Sequence, residues 1–125
     1  MKIILDTIQK RNNLNIVRAV GEKGAGGAMH TYEIVTNEYS PEGAQPVLSY
    51  IQFQHGPRNT AESILGVLDG DLLEIVRDRL KAFQAGEYAT RENAIALTHI
   101  EEALLWMNKR VEDRAARGVL GTTKK

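Results

Sequence analysis

The sequence predicts an α+β protein in which a small N-terminal antiparallel β-sheet precedes a C-terminal hairpin of two antiparallel helices. In the first half of the chain, short apolar patches with many β-branched residues recur between turn residues. In the second half, apolar residues recur at intervals of three and four, which is the period of an amphipathic helix. Strands followed by helices, without alternation, are typical of the α+β class.

Four short strands are predicted in the first half. They are residues 3–5, 14–20, 30–36 and 47–54. The glycine-rich stretch 21–28 is predicted to be a hairpin loop, because it fits neither the dinucleotide fingerprint nor a P-loop. Residues 40–43 have the composition of a turn, and residues 58–69 that of a loop with a short helical piece.

The first helix is predicted from Asp71 to Ala85. Asp71 is the expected N-cap, because its carboxylate can accept amide hydrogens of the first turn. Gly86 is the expected stop, in the left-handed conformation. The apolar side of this helix consists of Leu72, Leu73, Val76, Leu80 and Phe83.

The second helix is predicted from Thr90, an N-cap hydroxyl, to Arg117, with Gly118 ending it. The connection between the two helices, 86–89, is so short that they must lie antiparallel. The apolar seam of the second helix consists of Leu97, Ile100, Leu104, Met107 and Val111.

The length of 125 residues predicts one compact domain, with a β-rich portion at 1–66, the helical hairpin at 67–121 and a tail at 122–125. The 16 basic residues equal the 16 acidic ones, which argues against a DNA- or RNA-coating protein. Cysteine is absent, as in proteins of a reducing compartment, and no apolar run approaches the length of a membrane span. We therefore expect a soluble, cytoplasmic protein.

Polar residues occupy both ends of the seam of the second helix. Asn93 and Arg114 lie in register with the seam, and Arg110 and Arg117 lie one turn from Arg114. Three guanidinium groups at one helix end suit phosphate oxygens. The alternative is a solvated helix end, in which neighbouring carboxylates pair with the arginines. Those carboxylates are Glu112 and Asp113.

The length of the second helix constrains a shared ligand. Asn93 and Arg114 are roughly 30 Å apart on a straight helix, so one small ligand can contact both only if a second subunit supplies one of them. This predicts a homodimer with symmetric sites. Phe83 lies across the turn from Asn93 and can stack on a base whose edge Asn93 binds. The alternative for Phe83 is ordinary hairpin core.

No catalytic constellation is evident. His30, His55 and His99 match no metal-ligand spacing, and no nucleophile elbow or cysteine nucleophile is present. Glu101 and Glu102 fit a solvated helix face better than a carboxylate pair. We therefore predict a binding protein, not an enzyme, with no metal and no cofactor.

A set of segments in a fixed order, covering about residues 29–122, resembles one protein family. The family is the phage-encoded hairpin family shared by the Thoeris anti-defence sponges and the anti-CBASS sponges, and the β-rich N-terminal portion is similar to the first Thoeris family. The segments are HTYEI at 30–34, IQFQHGP at 51–57, LLEIVRDRL at 72–80, RENAIAL at 91–97, EEALLW at 101–106, RVEDR at 110–114, RGV at 117–119 and GT at 121–122.

The resemblance implies a protein that sequesters cyclic nucleotide immune signals in the infected bacterial cytoplasm without degrading them. For the Thoeris branch the signal is glycocyclic ADP-ribose, made by TIR-domain enzymes. Some members of the family also hold cyclic di- or trinucleotides of CBASS, at a separate site in a hexamer built as a trimer of dimers. The implied partners are therefore small-molecule signals and further copies of the chain.

The resemblance also implies site residues. An ADP-ribose-type site shared between subunits would use Phe83, Asn93, Arg110 and Arg114, and a second cyclic-nucleotide site would use Arg58 and Arg91. The family commonly has Thr after the first arginine of the R-x-x-x-R pair and Glu before the final Gly-Thr. Here Val111 and Leu120 stand at those positions, which leaves the contacts of the tail open.

Two other functions compete with this one. A hydrolase of nucleotide signals would need a general base or a metal near the arginines. A protein–protein adaptor would bind a host factor through the helical hairpin. Chemically intact release of a bound ligand separates a sponge from an enzyme.

Overall fold

The computed structural model describes residues 1–10, 14–38, 41–122 and 124–125. These form two compact units, 1–67 and 68–125. The first unit holds an antiparallel sheet and the second holds two helices, which confirms the predicted α+β class. Ser40 of the predicted turn and Thr123 of the predicted tail lie outside the described residues. The division at 66/67 with one compact domain stays a prediction.

The sheet of the first unit has four strands in the order β1-β2-β3-β4, each antiparallel to the next. All four coincide with the predicted strands to within a few residues. They are β1 Lys2–Ile4, β2 Asn15–Val20, β3 Thr31–Thr36 and β4 Val47–Gln52. Residues 21–28 connect β2 to β3 as the predicted hairpin loop and include a short 3₁₀ turn at Ala25–Gly27.

A buried carboxylate on β3 ties three strands together. Glu33 lies directly opposite Arg18 of β2, whose Nε donates to Glu33 Oε1 at 2.6 Å. Lys2 Nζ on β1 is 3.0 Å from the same oxygen. The hydrogen bond from Lys2, aided by Arg18, lowers the pKa of Glu33 although burial acts in the opposite direction. Glu33 and its neighbour Val35 are buried on the same face.

The segment after β4 folds back on the sheet instead of forming a helical turn. Phe53 bridges to Val67, and His55 bridges to Ile64. Val67 N–H donates to Gln52 O at 2.9 Å, and His55 N–H donates to Ile64 O at 3.0 Å. The predicted short helical piece in 58–69 is wrong. Two separate tight turns form instead, closed by Thr60 N–H to Pro57 O at 3.2 Å and by Ser63 N–H to Thr60 O at 3.1 Å, and the chain then pairs with the extension of β4.

In the second unit, α1 spans Asp69–Gln84. Leu68 is its N-cap residue, and Asp71 accepts the Leu68 N–H at 2.8 Å from the third position of the helix. The prediction of Asp71 as N-cap is therefore wrong by three residues, although the carboxylate does bond the helix start. Gly86 does not enter the left-handed conformation either, since its N–H closes a tight turn to Phe83 O at 3.2 Å.

Helix α2 spans Arg91–Ala116 without interruption. Thr90 is the N-cap, as predicted, and its Oγ1 accepts the Asn93 N–H at 3.0 Å. Gly118, with a φ of +71°, follows the C-terminus in the left-handed conformation. That prediction is confirmed, because a side chain at this position would strain the backbone.

The two helices pack along the predicted seam, but shallowly. Leu72, Leu80 and Phe83 of α1 are half-buried, while Val76 is exposed. Arg77 Nε donates to Glu101 across the hairpin at 2.8 Å, and this bond raises the pKa of the guanidinium. The side chain of Glu101 is 40% exposed, so the solvated face predicted for it also carries an ion pair to α1. On α2, Leu97, Ile100 and Leu104 are half-buried, and Met107 and Val111 are exposed.

Candidate functional site

An open groove of about 660 Å³ runs along the C-terminal end of α2, entirely within the second unit. Cationic side chains dominate its lining, together with one exposed indole. The lining residues are Trp106, Lys109, Arg110, Asp113, Arg114, Ala116, Arg117 and Lys125. The three arginines that the sequence predicted to crowd one helix end therefore do share one surface.

Arg114 is the most constrained of these arginines, with only 6% of its surface exposed. Its Nη2 donates to the carbonyl oxygens of Val119 and Thr122, both at 3.0 Å, and its Nη1 donates to the carbonyl of Lys124. The guanidinium thus holds the backbone of the tail against the end of α2. Sequence reasoning placed Arg114 in a ligand site, and it missed this structural role.

The backbone at the end of α2 prepares this arrangement. Val119 N–H donates to Arg114 O at 3.0 Å, and Gly118 N–H donates to Ala115 O at 3.1 Å. This pair of bonds is a Schellman motif, which turns the chain back toward the last helical turn. The tail therefore returns to the side of the helix that carries Arg114. Leu120, which follows this turn, is exposed.

Arg110 and Arg117 are exposed, and neither donates to a carboxylate among the described residues. The alternative in which Glu112 and Asp113 neutralise the arginines is not what the structure shows, because Asp113 accepts Lys109 Nζ at 3.4 Å. Both guanidinium groups are consequently available to an anion in solution. Their position at a helix C-terminus also suits cations.

A second groove, of about 720 Å³, lies on the other side of Arg110. Three carboxylates from the start of α1 line it, namely Asp69, Asp71 and Glu74. Negative charge disfavours a phosphate there. Of the two grooves that Arg110 borders, the cationic one is therefore the candidate site for an anionic ligand.

The opposite end of the hairpin carries Phe83 and Asn93. The guanidinium of Arg79 lies 5.3 Å from the centre of the Phe83 ring, and the Tyr88 ring meets Phe83 edge-to-face at 6.4 Å. Phe83 is half-buried, so part of its ring packs within the hairpin and part remains accessible. The i, i+4 spacing of Arg79 and Phe83 is the signal that sequence reasoning left unused.

The residues predicted for one shared site lie at opposite ends of one helix. Because α2 is continuous from Arg91 to Ala116, Asn93 and Arg114 remain roughly 30 Å apart within the chain. The structure thus brings Arg110 and Arg114 together, and it brings Phe83 and Asn93 to the same end of the hairpin. It does not join the two pairs within one chain.

The two residues predicted for a second site belong to different units. Arg58 donates to Gln54 Oε1 at 3.1 Å and to Gly66 O at 2.8 Å, which fixes the loop after β4. Arg91, at the start of α2, lines a small cavity of about 300 Å³ together with Ile95 and His99. A joint site for Arg58 and Arg91 stays a prediction.

Two histidines that are distant in sequence meet in the first unit. The rings of His30 and His55 stack with centres 4.2 Å apart, and His30 Nε2 is buried without a hydrogen-bond partner in the described part of the chain. Gly24 lies so close that a β-carbon there would be 2.5 Å from His30. Within the described residues, no cluster of three or more His, Cys, Asp or Glu side chains is suited to a metal.

None of the helices in the described ranges is long and apolar enough to cross a membrane.

Comparison with known proteins points to one family. The family model for the Acb2/Tad1 hairpin domain matches residues 45–112, which include Phe83, Asn93 and Arg110 and stop just before Arg114. The chain is also similar to Thoeris anti-defense 1 of Bacillus phage SBSphiJ7, with 47% identity over 78 residues. That alignment covers 62% of this chain and 54% of the phage protein, so the chain spans about half the length of this relative.

Proposed function

Because this chain belongs to the Acb2/Tad1 hairpin-domain family, we propose that it is a phage anti-defence protein that binds and sequesters cyclic nucleotide immune signals without degrading them. The site of action would be the cytoplasm of the infected bacterium. Glycocyclic ADP-ribose is the first candidate signal, and cyclic di- or trinucleotides of CBASS are further candidates. The name of the similar phage protein, Thoeris anti-defense 1, supports this choice.

The cationic groove at the end of α2 is the observation that carries the proposal. Arg110 and Arg117 present exposed guanidinium groups without carboxylate partners among the described residues, and Arg114 lies beside them. Charge-assisted hydrogen bonds from guanidinium groups suit a diphosphate, and a sponge that out-competes a receptor needs binding on the order of −12 kcal/mol. Arg110 and Arg114 would bind the diphosphate of the signal.

The other half of the site would come from a second subunit. Phe83 would stack on the base and Asn93 would bind its edge, but both lie at the far end of the hairpin from the arginines. In a homodimer with two symmetric sites, the arginines of one subunit would meet Phe83 and Asn93 of the other. Exposed apolar side chains of the hairpin support such pairing, since α1 has no buried residue and α2 buries only Arg114. The exposed residues include Ile75, Ile95 and Leu105.

Further assembly would create the second site. In a hexamer built as a trimer of dimers, Arg58 and Arg91 from different chains would hold a cyclic di- or trinucleotide. Arg91 is exposed at the start of α2 and borders a cavity, which supports a role in binding. Arg58 would have to exchange its bond to Gly66 O for one to the ligand.

Isothermal titration tests the binding step. The purified chain is titrated with glycocyclic ADP-ribose and with a panel of cyclic di- and trinucleotides. We expect nanomolar binding of at least one signal and a loss of at least about 30-fold in Arg110→Ala, since truncating one partner of a buried charge pair costs several kcal/mol. The exposed Lys23→Ala removes one charge from the first unit and serves as the matched control.

Two results would contradict the proposal. Absence of binding across the panel would redirect the search to a host protein docked on the exposed apolar surface of the hairpin. Equal affinity of Arg110→Ala and the unchanged chain would remove the cationic groove from the site.

A further inference from the structure

We propose that Trp106 is a ligand-contacting residue of the cationic groove, where its indole stacks on the base of a nucleotide whose phosphates lie against Arg110 and Arg117. This inference rests on the proposed function and adds to it a second aromatic wall. Phe83 would then cover one face of the base from the other subunit, and Trp106 would cover the other face. The ligand class is an anionic nucleotide with an aromatic base and a diphosphate.

The position of Trp106 along α2 supports this assignment. Trp106 and Arg110 are four residues apart, so their side chains are neighbours on the helix surface. Arg117 follows Arg110 after seven residues, or two turns, on the same side. All three line the groove of about 660 Å³, a volume typical of sites for small organic ligands. The indole and the guanidinium groups are thus placed for the two ends of one nucleotide.

The exposure of Trp106 indicates that it serves something outside the hairpin. Its side chain lies off the seam of α2, and it is 64% exposed although it is the largest apolar side chain in the protein. An exposed tryptophan forgoes the favourable free energy of burying its ring. Tryptophan is also enriched at surfaces where partners bind.

The charge around Trp106 favours an anionic ligand over an apolar protein surface. Five cationic side chains line the groove with the indole, against one carboxylate, Asp113, which Lys109 already pairs. An apolar partner would leave these cations without compensation, and such desolvation is costly. A nucleotide can stack its base on the indole while its phosphates pair with the cations. Bases stack on aromatic rings without regard to sequence, and each stack strengthens binding measurably.

The protein carries its own probe for this inference, because Trp106 is its single tryptophan. Intrinsic fluorescence at the tryptophan excitation wavelength is followed while glycocyclic ADP-ribose is added. We expect saturable quenching that tracks the calorimetric binding curve. Inorganic pyrophosphate, which has no ring, is expected to compete for the arginines without quenching.

Variants provide the second measurement. Trp106→Ala is expected to lower affinity at least about tenfold, within the range of base–aromatic stacking, while Trp106→Phe keeps most of the affinity. Tyr50→Ala removes another exposed aromatic ring, 62% exposed, from the sheet of the first unit and is expected to leave affinity unchanged. The fluorescence titration uses the unsubstituted chain, so it stays decisive if Trp106→Ala fails to fold.

Three outcomes overturn the inference in distinguishable ways. If calorimetry shows tight binding while fluorescence and the affinity of Trp106→Ala are unchanged, Trp106 is outside the site and the proposed function survives. If Trp106→Ala dissociates the assembly in sedimentation without ligand, Trp106 belongs to a subunit interface. If the unsubstituted chain binds no signal, the proposed function fails and the inference fails with it.

Discussion

Glu33 shows how one carboxylate stabilises the sheet of the first unit. Cations from β1 and β2 converge on it, and together they hold its pKa below the ordinary value of 4.5. A lowered pKa in the folded state means that folding favours the deprotonated form. The stabilisation is therefore present above about pH 4.5 and is lost as the pH falls through the folded-state pKa.

We predict that Glu33→Gln weakens this acid dependence. The free energy of unfolding of the unchanged chain, measured by urea denaturation, should fall as the pH is lowered below about 4.5, whereas that of Glu33→Gln should start lower and fall less. Glu22→Gln, at an exposed loop position, is the control and should behave like the unchanged chain. Identical acid profiles for Glu33→Gln and the unchanged chain would show that Glu33 does not carry this stabilisation.

Arg114 combines a predicted binding role with an observed structural one. The sequence indicated that Arg114 lies on the seam of α2, but it gave no sign that three backbone carbonyls of the tail would surround the guanidinium. Residues 119–124 have no apolar period, and bonds to backbone carbonyls do not depend on side-chain identity. For that reason a sequence pattern does not reveal them.

We predict that Arg114→Ala releases the tail as well as weakening ligand binding. Loss of charged hydrogen bonds should lower the free energy of unfolding by about 2 kcal/mol and speed hydrogen exchange of the Val119 and Thr122 amides. The helical circular dichroism signal should remain. Arg117→Ala, which removes an exposed arginine of the same groove, should weaken ligand binding but leave exchange in the tail unchanged. Slow exchange in Arg114→Ala would show that other contacts hold the tail.

At the scale of elements, the periodic parts of the sequence were the predictable ones. Both helices follow from apolar residues at three-four spacing, and both helix-end signals of α2, Thr90 and Gly118, are confirmed. The start of α1 was misplaced because an acidic residue bonds the helix start equally well from the N-cap or the third position. Residues 58–69 were misassigned because 58–63 form only separate tight turns, while Ile64 and Val67 bond to residues at and just after the end of β4, which local sequence does not encode.

Thr90 offers a test of how α2 begins. We predict that Thr90→Ala lowers the free energy of unfolding by about 1 kcal/mol, because the Asn93 N–H loses its acceptor. Thr98→Ala is the matched control, since Thr98 Oγ1 donates only to Ala94 O, a carbonyl of the preceding turn of the same helix. Thermal and urea unfolding measure both variants. Equal stability of the two would mean that the cap contributes nothing.

At the scale of the whole molecule, a shared site demands more than one chain. The chain has equal numbers of basic and acidic residues, yet the groove at the end of α2 concentrates cations. We propose that this local charge serves a small anionic ligand. The aromatic residue and the amide predicted to bind its base lie at the other end of the same hairpin, roughly 30 Å away by helical rise.

Mixing subunits tests the shared site. We predict that neither Asn93→Ala nor Arg110→Ala binds the signal tightly alone, and that a refolded equal mixture recovers about a quarter of the binding capacity, because half of the dimers are mixed and each mixed dimer holds one intact site of two. A mixture of Arg110→Ala with Arg117→Ala is the control. Both substitutions affect the same half-site, so every site in this mixture lacks one arginine and no recovery is expected. No recovery in the first mixture would contradict a site shared between subunits.

A protein that holds its signal without consuming it must release that signal unchanged, so recovery of the ligand tests the proposed function. Glycocyclic ADP-ribose is incubated with a stoichiometric amount of protein, unbound material is removed by filtration, and the complex is heat-denatured before chromatography and mass spectrometry of the supernatant. We predict that the unbound fraction is depleted and that the signal returns intact after heating, close to one molecule per site. A changed product after heating would indicate an enzyme, and signal left free before heating would show that the protein does not sequester it.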